Sequence, residues 1–537
     1  MNNSTLRKNI VFTIIFFILM SAVPNISGTI GGDRLNFEKN VKNAHQESSS
    51  VWKQLIGNES AGFGRSTTMA IRGLEIYKDE LYIGTQNLNK SKFLRPSGID
   101  RIMMDDFLLL GGLSDQLPFI FEKKLLLPIL ISRRFGNNNH NFLMFWLSMS
   151  LNLAMHMRAR MSDGCEIWKY NSSLDTWSQL IGDHPEADMP VGFGDTKTIA
   201  ISVINKFKGK LYVGTWTNPL KGCEIWRYDG SNWEQVVGEN ALIKGGFNDS
   251  KNIAAWCIEE FNDYLYVGTM NWDYTDSGGC QIWRTQDGIH WSRVVNRGFR
   301  DFLPEEEQNV HNTYAWSSEV FQDHLYIGTF NTNSVFRFEN AGCQLLRTSN
   351  GVDWMKVECP GGDGFGEKEN YGIRCMTIYN DDLYVATATD GYQLNGLNVQ
   401  GCEIYKYDGV NWTEVIGEGR INPNEKDGFG SKWNKYVWSM IVSSDNKLWV
   451  GTLNMQIRMI GEDTKGCEVW CYNGTKWIPI VKEGTGEIDN GFGNIYNEGA
   501  RGMIEYPAGS RNIVVGTFKL TKPFETPEGC EIWMRYG

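Results

Sequence analysis

The sequence predicts an all-β protein built from one repeated four-stranded unit, and three observations lead to this prediction. A pentapeptide that joins Gly-Cys to an acid or amide and then to two apolar or aromatic residues occurs seven times in the 537 residues. An apolar run ending in Gly-Thr or Ala-Thr precedes each copy, and a turn leading to a tryptophan follows every copy except the last. The copies begin at Gly164, Gly222, Gly279, Gly342, Gly401, Gly466 and Gly529.

The spacing of the copies indicates that a single unit is used repeatedly. Their cysteines are 58, 57, 63, 59, 65 and 63 residues apart. A near-constant period of this length is typical of repeat folds, in which each unit buries its apolar face against the next one.

Each unit is predicted to contain four antiparallel strands, which we call A, B, C and D. Strand A is an apolar segment such as residues 252–261, strand B is the Gly-Thr run, and strand C begins in the pentapeptide. Strand D begins at the tryptophan after an Asp-Gly type of turn, which is a hairpin signal. No helical period competes with this interpretation.

The order of the strands predicts a closed ring. Six tryptophan-led D strands follow pentapeptides, whereas the seventh, residues 51–57, stands before the first A strand. If residues 51–57 pair with the C-terminal strand at residues 529–536, the ring closes without free edges, as a β-propeller requires. The sequence therefore predicts a seven-bladed β-propeller of four-stranded antiparallel blades.

The combination of a Leu-Tyr-Val-Gly-Thr strand with an Asp-Gly-x-x-Trp turn resembles secreted propeller repeat proteins, most of all uncharacterised exported propellers of archaea and bacteria. The turns at residues 285–291 and 348–354 are distantly similar to the Asp-box of sialidase-like propellers, which has one more residue between its Asp and Gly. There is also a distant likeness to regulator-type propellers. The resemblance covers residues 51–537 apart from one insertion. It implies the fold but not the function, because propellers include hydrolases, lyases, lectins and scaffolds.

The N-terminal residues differ from the repeats. Arg7 and Lys8 precede a run of apolar residues at 10–23, so residues 1–28 are predicted to be a signal peptide, with an uncleaved membrane anchor as the alternative. Residues 29–50 are predicted to be a flexible lead-in to the propeller at residues 51–537. The protein is therefore expected outside the cell or at its surface, where the sequons at Asn58, Asn171, Asn248 and Asn473 are candidate glycan acceptors.

One insertion interrupts the repeat. The B–C connection of blade one contains an extra stretch at about residues 92–161, which has apolar clusters but no strand alternation. A lid domain, a membrane-touching segment and a foreign insertion that the fold tolerates are all compatible with it.

Charge and cysteine usage limit the partners and cofactors. A net charge of −11 argues against nucleic acid or an anionic membrane surface as the main partner, and we expect a monomer. Seven of the eleven cysteines are equivalent positions of different blades and lie too far apart for disulfides. Cys359 and Cys375 bracket one loop, where a bond remains an alternative. There is no Cys-x-x-Cys motif and the seven histidines are scattered, so no metal and no cofactor are expected.

Two repeated features of the D–A connections are predicted to be structural. A Gly-Phe-Gly motif or a relative of it precedes strand A, and an asparagine stands just before or at the start of the strand. We expect the phenylalanine to pack between blades and the asparagine to bind backbone groups. The asparagines are Asn252, Asn312, Asn370, Asn434 and Asn497.

The position four residues after this asparagine breaks the repeat and is the candidate ligand-binding ring. It places three arginines, three tryptophans and one serine near the mouth of the channel. Arginine binds carboxylate or sulfate, and indole faces stack on sugar rings. We expect the arginines to form one cationic arc and the tryptophans a stacking side. From blade one to blade seven the ring is Arg72, Ser202, Trp256, Trp316, Arg374, Trp438 and Arg501.

An alternative interpretation of the ring is structural. The tryptophans would then fill space between blades, and the arginines would pair with nearby acids. The acids in question are Glu75, Glu498 and Glu505.

The sequence favours an extracytoplasmic binding or cell-surface module that uses the face formed by the D–A and B–C loops. Its partner would be a glycan, with an anionic glycan as the candidate ligand, or a surface protein. The alternative is a carbohydrate-active enzyme, a glycoside hydrolase or polysaccharide lyase, acting at the same channel mouth. Such an enzyme needs an acid and a base or nucleophile, and no motif identifies them. The candidates are Glu498, Asp390, Tyr314 and Tyr371.

Overall fold

A computed structural model describes residues 51–88, 162–217, 221–273, 275, 277–336, 340–389, 400–455, 465–519 and 529–537. The predicted signal peptide, the lead-in and the insertion at about residues 92–161 lie outside the described residues. The described chain is all-β, as the sequence predicts, with 28 strands numbered β1 to β28 in chain order.

The strands follow the predicted order. The A strands are β2 (Thr68–Tyr77), β6 (Ala200–Phe207), β10 (Asn252–Phe261), β14 (Asn312–Phe321), β18 (Asn370–Tyr379), β22 (Asn434–Val442) and β26 (Asn497–Glu505). The B strands are β3 (Glu80–Asn87), β7 (Lys210–Trp216), β11 (Tyr264–Asn271), β15 (His324–Asn331), β19 (Asp382–Thr389), β23 (Leu448–Asn454) and β27 (Ile513–Lys519). The C strands are β4 (Ile167–Asn171), β8 (Ile225–Tyr228), β12 (Ile282–Thr285), β16 (Leu345–Thr348), β20 (Ile404–Tyr407), β24 (Val469–Tyr472) and β28 (Ile532–Arg535). The D strands are β5 (Thr176–Ile181), β9 (Trp233–Val237), β13 (Trp291–Val295), β17 (Met355–Val357), β21 (Trp412–Ile416), β25 (Trp477–Val481) and β1 (Trp52–Ile56).

Helical structure among the described residues is confined to short segments. One α-helix, α1, spans Thr332–Phe336. The 3-10 turns lie in the D–A connections, at Asn58–Gly64, Val191–Gly194, Gly245–Asn248, Arg297–Phe302, Glu305–Glu307, Asp363–Gly366, Pro423–Glu425, Asp427–Gly430 and Asn490–Gly493.

Antiparallel pairing joins the strands into four-stranded ladders and joins the ladders into a ring. Within a ladder, A pairs with B, B with C, and C with D. Each B strand also pairs through one residue with the A strand of the next ladder, as Met270 does with Tyr314. The last of these contacts, Phe518 with Ala70, returns to the first ladder. The A and B strands therefore form a closed antiparallel barrel of 14 strands, an arrangement consistent with a β-propeller.

The N-terminal strand β1 completes the last ladder, as the sequence predicts. It pairs antiparallel with β28, with Trp52 opposite Arg535. Glu487 holds the two strands together, because its carboxylate accepts hydrogen bonds from Trp52 Nε1 at 2.9 Å and from Arg535 Nη2 at 2.6 Å. The open edge that β28 would otherwise present is covered.

The pentapeptide cysteine lies at the junction between neighbouring ladders, where its backbone forms two hydrogen bonds. Every pentapeptide cysteine is fully buried. The Cys530 carbonyl accepts a hydrogen bond from Gly62 N at 2.7 Å, and Cys530 N donates to the Thr68 carbonyl at 2.8 Å. The same pair of bonds recurs at each of the seven junctions, for example at Cys223 with Gly246 and Asn252. A small side chain fits this position because two backbone segments meet around it.

The phenylalanine of the D–A connection packs between ladders, as predicted. Phe429 has a φ of 59°, a left-handed conformation that is costly for a residue with a side chain. Its ring stacks on Trp470 at a centroid distance of 4.9 Å and meets Trp477 edge-on at 5.1 Å. The equivalent residues Phe63, Phe193, Phe247, Phe299, Phe365 and Phe492 share the positive φ.

The asparagine at the start of strand A binds backbone groups, as predicted, and also holds the acid of the pentapeptide. Asn434 Nδ2 donates to the Gly428 carbonyl at 2.9 Å and to Glu468 Oε2 at 3.0 Å. Trp470 Nε1 donates to the same carboxylate at 2.9 Å. In the first ladder, which lacks the asparagine, Arg65 takes its place at 2.7 Å from Glu166.

All eleven cysteines are free thiols, so Cys359 and Cys375 are not bonded to each other. Among the described residues, no group of His, Cys, Asp and Glu side chains is arranged to hold a metal ion. Within the same residues, no helix has the length and apolar character needed to span a membrane.

Candidate ligand-binding ring

The seven residues of the candidate ring occupy the same backbone feature. In every A strand, the register with strand B shifts at the ring residue, for example between Ala255 and Cys257 around Trp256. Such a β-bulge adds one residue to the strand and redirects its side chain, and bulges are frequent next to binding sites. The sequence predicted the ring position from its variability, whereas the bulge was not foreseen.

The ring surrounds a central cluster to which every ladder contributes. Buried residues of this cluster include Met69, Trp216, Tyr371, Tyr436 and Phe518, and the ring tryptophans belong to it as well. The other apolar clusters join only neighbouring ladders. The ring residues therefore lie on the innermost strands, next to the apolar cluster that all the ladders share.

Access to the ring is uneven. Arg72, Ser202, Trp256 and Arg374 are half-buried. Trp316, Trp438 and Arg501 are only 6%, 3% and 8% exposed. A ligand at the centre therefore reaches the first group more readily than the second.

The arginines and tryptophans are interleaved, and the expectation of separate cationic and stacking sides is wrong. The Arg374 guanidinium lies over the Trp316 ring of the preceding ladder, at 5.4 Å from its centroid. Arg501 lies 4.4 Å from the centroid of Trp438, again in the preceding ladder. Each contact is within the range of a cation–π interaction, which restrains the position of the guanidinium group.

Arg72 contacts aromatic side chains of two other ladders. Arg72 belongs to the first ladder, yet its guanidinium lies 4.7 Å from the centroid of Trp256 in the third. It also lies 5.2 Å from Trp216 in the second ladder and donates to Gln86 Oε1 at 3.2 Å.

Two of the three acids named in the structural alternative have contacts other than the ring arginines. Glu75 accepts a salt bridge from Lys206 at 3.1 Å. Glu505 accepts hydrogen bonds from Ser444 Oγ at 2.6 Å and from the backbone of Arg511. Glu498 is fully buried.

The candidate acid–base residues are mostly enclosed. Tyr371 is 4% exposed, and its hydroxyl contacts that of Tyr436. Tyr314 is half-buried and stacks on Phe330 with centroids 4.4 Å apart. Asp390 lies outside the described residues.

A second unrepeated set lies three residues beyond the ring on strand A, and sequence reasoning missed two of its members. Burial raises the pKa of Glu259 to about 7, although Ser318 Oγ donates to it at 3.2 Å. Burial and the nearby Glu259 charge raise the pKa of Glu319 to about 8. Glu75 occupies the same position in the first ladder. An alignment of the A strands shows these acids, but not their proximity.

Comparison with known proteins gives little further information. No protein-family model and no curated protein matches the chain. Similar solved structures include the Penicillium chrysogenum alpha-L-arabinanase complexed with arabinobiose, which is 11% identical, with a TM-score of 0.37 over 72% of this chain and 89% of that one. An ancestral GH74 enzyme is 16% identical, with a TM-score of 0.38 over 67% of this chain and 41% of that one. The Trypanosoma rangeli sialidase is 9% identical, with a TM-score of 0.33 over 62% and 53%.

Proposed function

We propose that the chain is a seven-bladed β-propeller that acts outside the cytoplasm, in the medium or at the cell surface, as a binding module for an anionic glycan. The observation that carries the proposal is the ring. Seven equivalent β-bulges direct residues toward one centre, and their side chains differ from ladder to ladder while the junctions around them repeat. A site for an asymmetric ligand requires such a departure from symmetry.

The half-buried residues define where the ligand would bind. Arg72 and Arg374 offer planar donors that suit a carboxylate or sulfate, which a guanidinium can bind through two parallel hydrogen bonds. Trp256 would offer the apolar face of a sugar the side of its ring that Arg72 does not cover. Indole stacking orients the arginines before the ligand arrives, so less conformational entropy is lost on binding.

The buried residues would act behind this surface. Trp316, Trp438 and Arg501 are largely enclosed, and we assign them to the support of the ring. Glu498 and Tyr371 are enclosed to the same degree, which favours binding over acid–base catalysis at this centre.

A glycan array on residues 51–537, followed by turnover assays on each ligand found, tests the proposal. We expect sulfated or carboxylated glycans to bind and to be recovered uncleaved. Because ion pairing would supply much of the affinity, binding should weaken as salt is raised. Cleavage of a bound glycan would establish the enzyme alternative instead. Binding confined to neutral glycans would contradict the role of the arginines.

A further inference from the structure

Five Asn-x-Ser/Thr sequons lie wholly within the described residues, and their geometries differ. This tripeptide is the acceptor for N-linked glycans, and it is used where it stands in an exposed loop. The five asparagines are Asn58, Asn171, Asn248, Asn411 and Asn473. The side chain of Asn58 is not among those that the structure describes.

Asn473 begins the turn between β24 and β25, and residues 473–476 are exposed. Its Oδ1 accepts hydrogen bonds from Thr475 N at 3.1 Å, Thr475 Oγ1 at 2.8 Å and Lys476 N at 3.0 Å. Gly474 sits between them at a φ of 91°, which glycine adopts without strain. Among the described residues, nothing accepts a hydrogen bond from Asn473 Nδ2, so this nitrogen faces solvent.

The hydrogen bonds into Oδ1 have a chemical consequence. These hydrogen bonds polarise the carboxamide by drawing electron density toward its oxygen. The Nδ2 protons therefore become easier to lose. The sequon hydroxyl of Thr475 is one of these donors. The turn thus holds the carboxamide and the hydroxyl in contact before any transferase binds.

The other sequons lack this combination. Asn171 is half-buried, and its Nδ2 donates to Glu80 at 3.3 Å. Asn411 Nδ2 donates to the Asp408 carboxylate at 3.2 Å. Asn248 is exposed, but its Oδ1 accepts from Lys244 N, and no described contact joins it to the hydroxyl of its own sequon.

We propose that Asn473 is an N-glycosylation site and the preferred acceptor among these sequons. In the transfer, Nδ2 forms a bond to the anomeric carbon of a diphosphate-linked oligosaccharide donor. The bond from that carbon to the diphosphate oxygen breaks, its electron pair leaves with the lipid diphosphate, and one amide proton is released. An oligosaccharyltransferase supplies the catalysis.

The position of Asn473 keeps a glycan away from the candidate ring. In an antiparallel ladder the C–D turn lies at the end opposite the B–C and D–A connections. A glycan on this turn would therefore leave the proposed ligand face open. The site does not rest on the proposed ligand, although transfer in the cell requires the export that the proposed function includes.

The experiment incubates the purified full-length chain with an oligosaccharyltransferase and a lipid-linked oligosaccharide, and peptide mass mapping then gives the occupancy of each sequon. We expect Asn473 to be the most occupied site. Thr475→Val removes the sequon hydroxyl and should abolish occupancy of Asn473. Thr475→Ser should retain most of it, and Asn411→Gln should leave it unchanged.

A synthetic peptide of residues 469–478 shows that the assay is active toward this sequence. If the peptide is modified but Asn473 of the folded protein is not, the proposal is overturned. Equal occupancy of Asn473, Asn171 and Asn411 also overturns it, because the turn geometry then selects nothing. An unaltered rate for Thr475→Val would show that the observed hydroxyl contact has no role.

Discussion

The ladder junctions and the candidate ring are built on the same repeated backbone and use it in opposite ways. At the junctions the same cysteine, glycine and phenylalanine contacts recur seven times, because each ladder must meet its neighbour identically for the barrel to close. At the ring the β-bulge recurs but the side chain changes, from Arg72 to Ser202 to Trp256. Repetition therefore marks the contacts that stability requires, and variation over a repeated backbone marks the place where a ligand would be recognised.

The largest effect should come from removing the strand that closes the junctions. A chain that begins at residue 58 should aggregate or lose cooperative unfolding, because β28 becomes an open edge and Phe492 loses its contact with Trp52 at 5.2 Å. Size-exclusion chromatography and thermal unfolding check this, with a chain beginning at residue 51 as the control. A monomer with an unchanged melting temperature would refute closure by β1.

A single junction should also matter more to stability than to binding. Phe429 is 1% exposed, and Phe429→Ala should lower the free energy of unfolding by about 3–5 kcal/mol, the range for large buried aromatic side chains. Denaturant unfolding measures the loss. Ile421→Ala, at a side chain that is 94% exposed, is the matched control and should change little. A small loss in the free energy of unfolding for Phe429→Ala would mean that the repeated phenylalanine does not stabilise the junction.

The sequence predicted the junctions well because they depend on local pattern. The period of the cysteines, the closing strand at Trp52 and the roles of phenylalanine and asparagine are each visible in a few adjacent residues. The ring was predicted only in position. The contact of Arg72 with Trp256 involves a β-bulge and side chains from the first and third ladders, and neither is a property of a local pattern.

The acids beyond the ring should make stability depend on pH. The folded pKa values of Glu259 and Glu319, about 7 and about 8, exceed the ordinary carboxyl value of 4.5. The folded chain therefore holds protons that the unfolded chain has released, so stability falls as pH rises from 4.5 to about 8. Glu259→Gln should raise stability at pH 8 by on the order of 1 kcal/mol, with allowance for solvent screening.

Thermal unfolding measured from about pH 5 to about pH 8 covers this titration and shows the effect. Glu260→Gln, at the exposed neighbouring carboxylate, serves as the control and should change the slope much less, because the Glu260 charge contributes less than burial to the raised pKa of Glu259. A slope that is the same in Glu259→Gln as in the parent chain would show that Glu259 titrates normally.

The smallest effect concerns the first ladder, where the repeat is imperfect. Thr68 Oγ1 and both polar side-chain atoms of Asn87 are buried and have no hydrogen-bond partner among the described residues. In the third ladder, Asn252 Oδ1 accepts from the equivalent Asn271 at 2.8 Å. Thr68→Asn should restore that bond and raise stability by about 0.5–1.5 kcal/mol, the usual value of one hydrogen bond. Denaturant unfolding that shows a loss instead would mean that the first ladder has no room for the repeated network.

The most direct test of the distinction between junction and ring is to measure affinity and stability on the same variant, Arg374→Ala. With an anionic glycan from the array, calorimetric titration should show binding weakened by about 1.5–3 kcal/mol, the range for hydrogen bonds to charged groups, while the free energy of unfolding changes little. The opposite result, a stability loss of about 3–5 kcal/mol with unchanged affinity, is expected if Arg374 pairs with a buried carboxylate. That result would contradict the assignment of the ring to ligand binding.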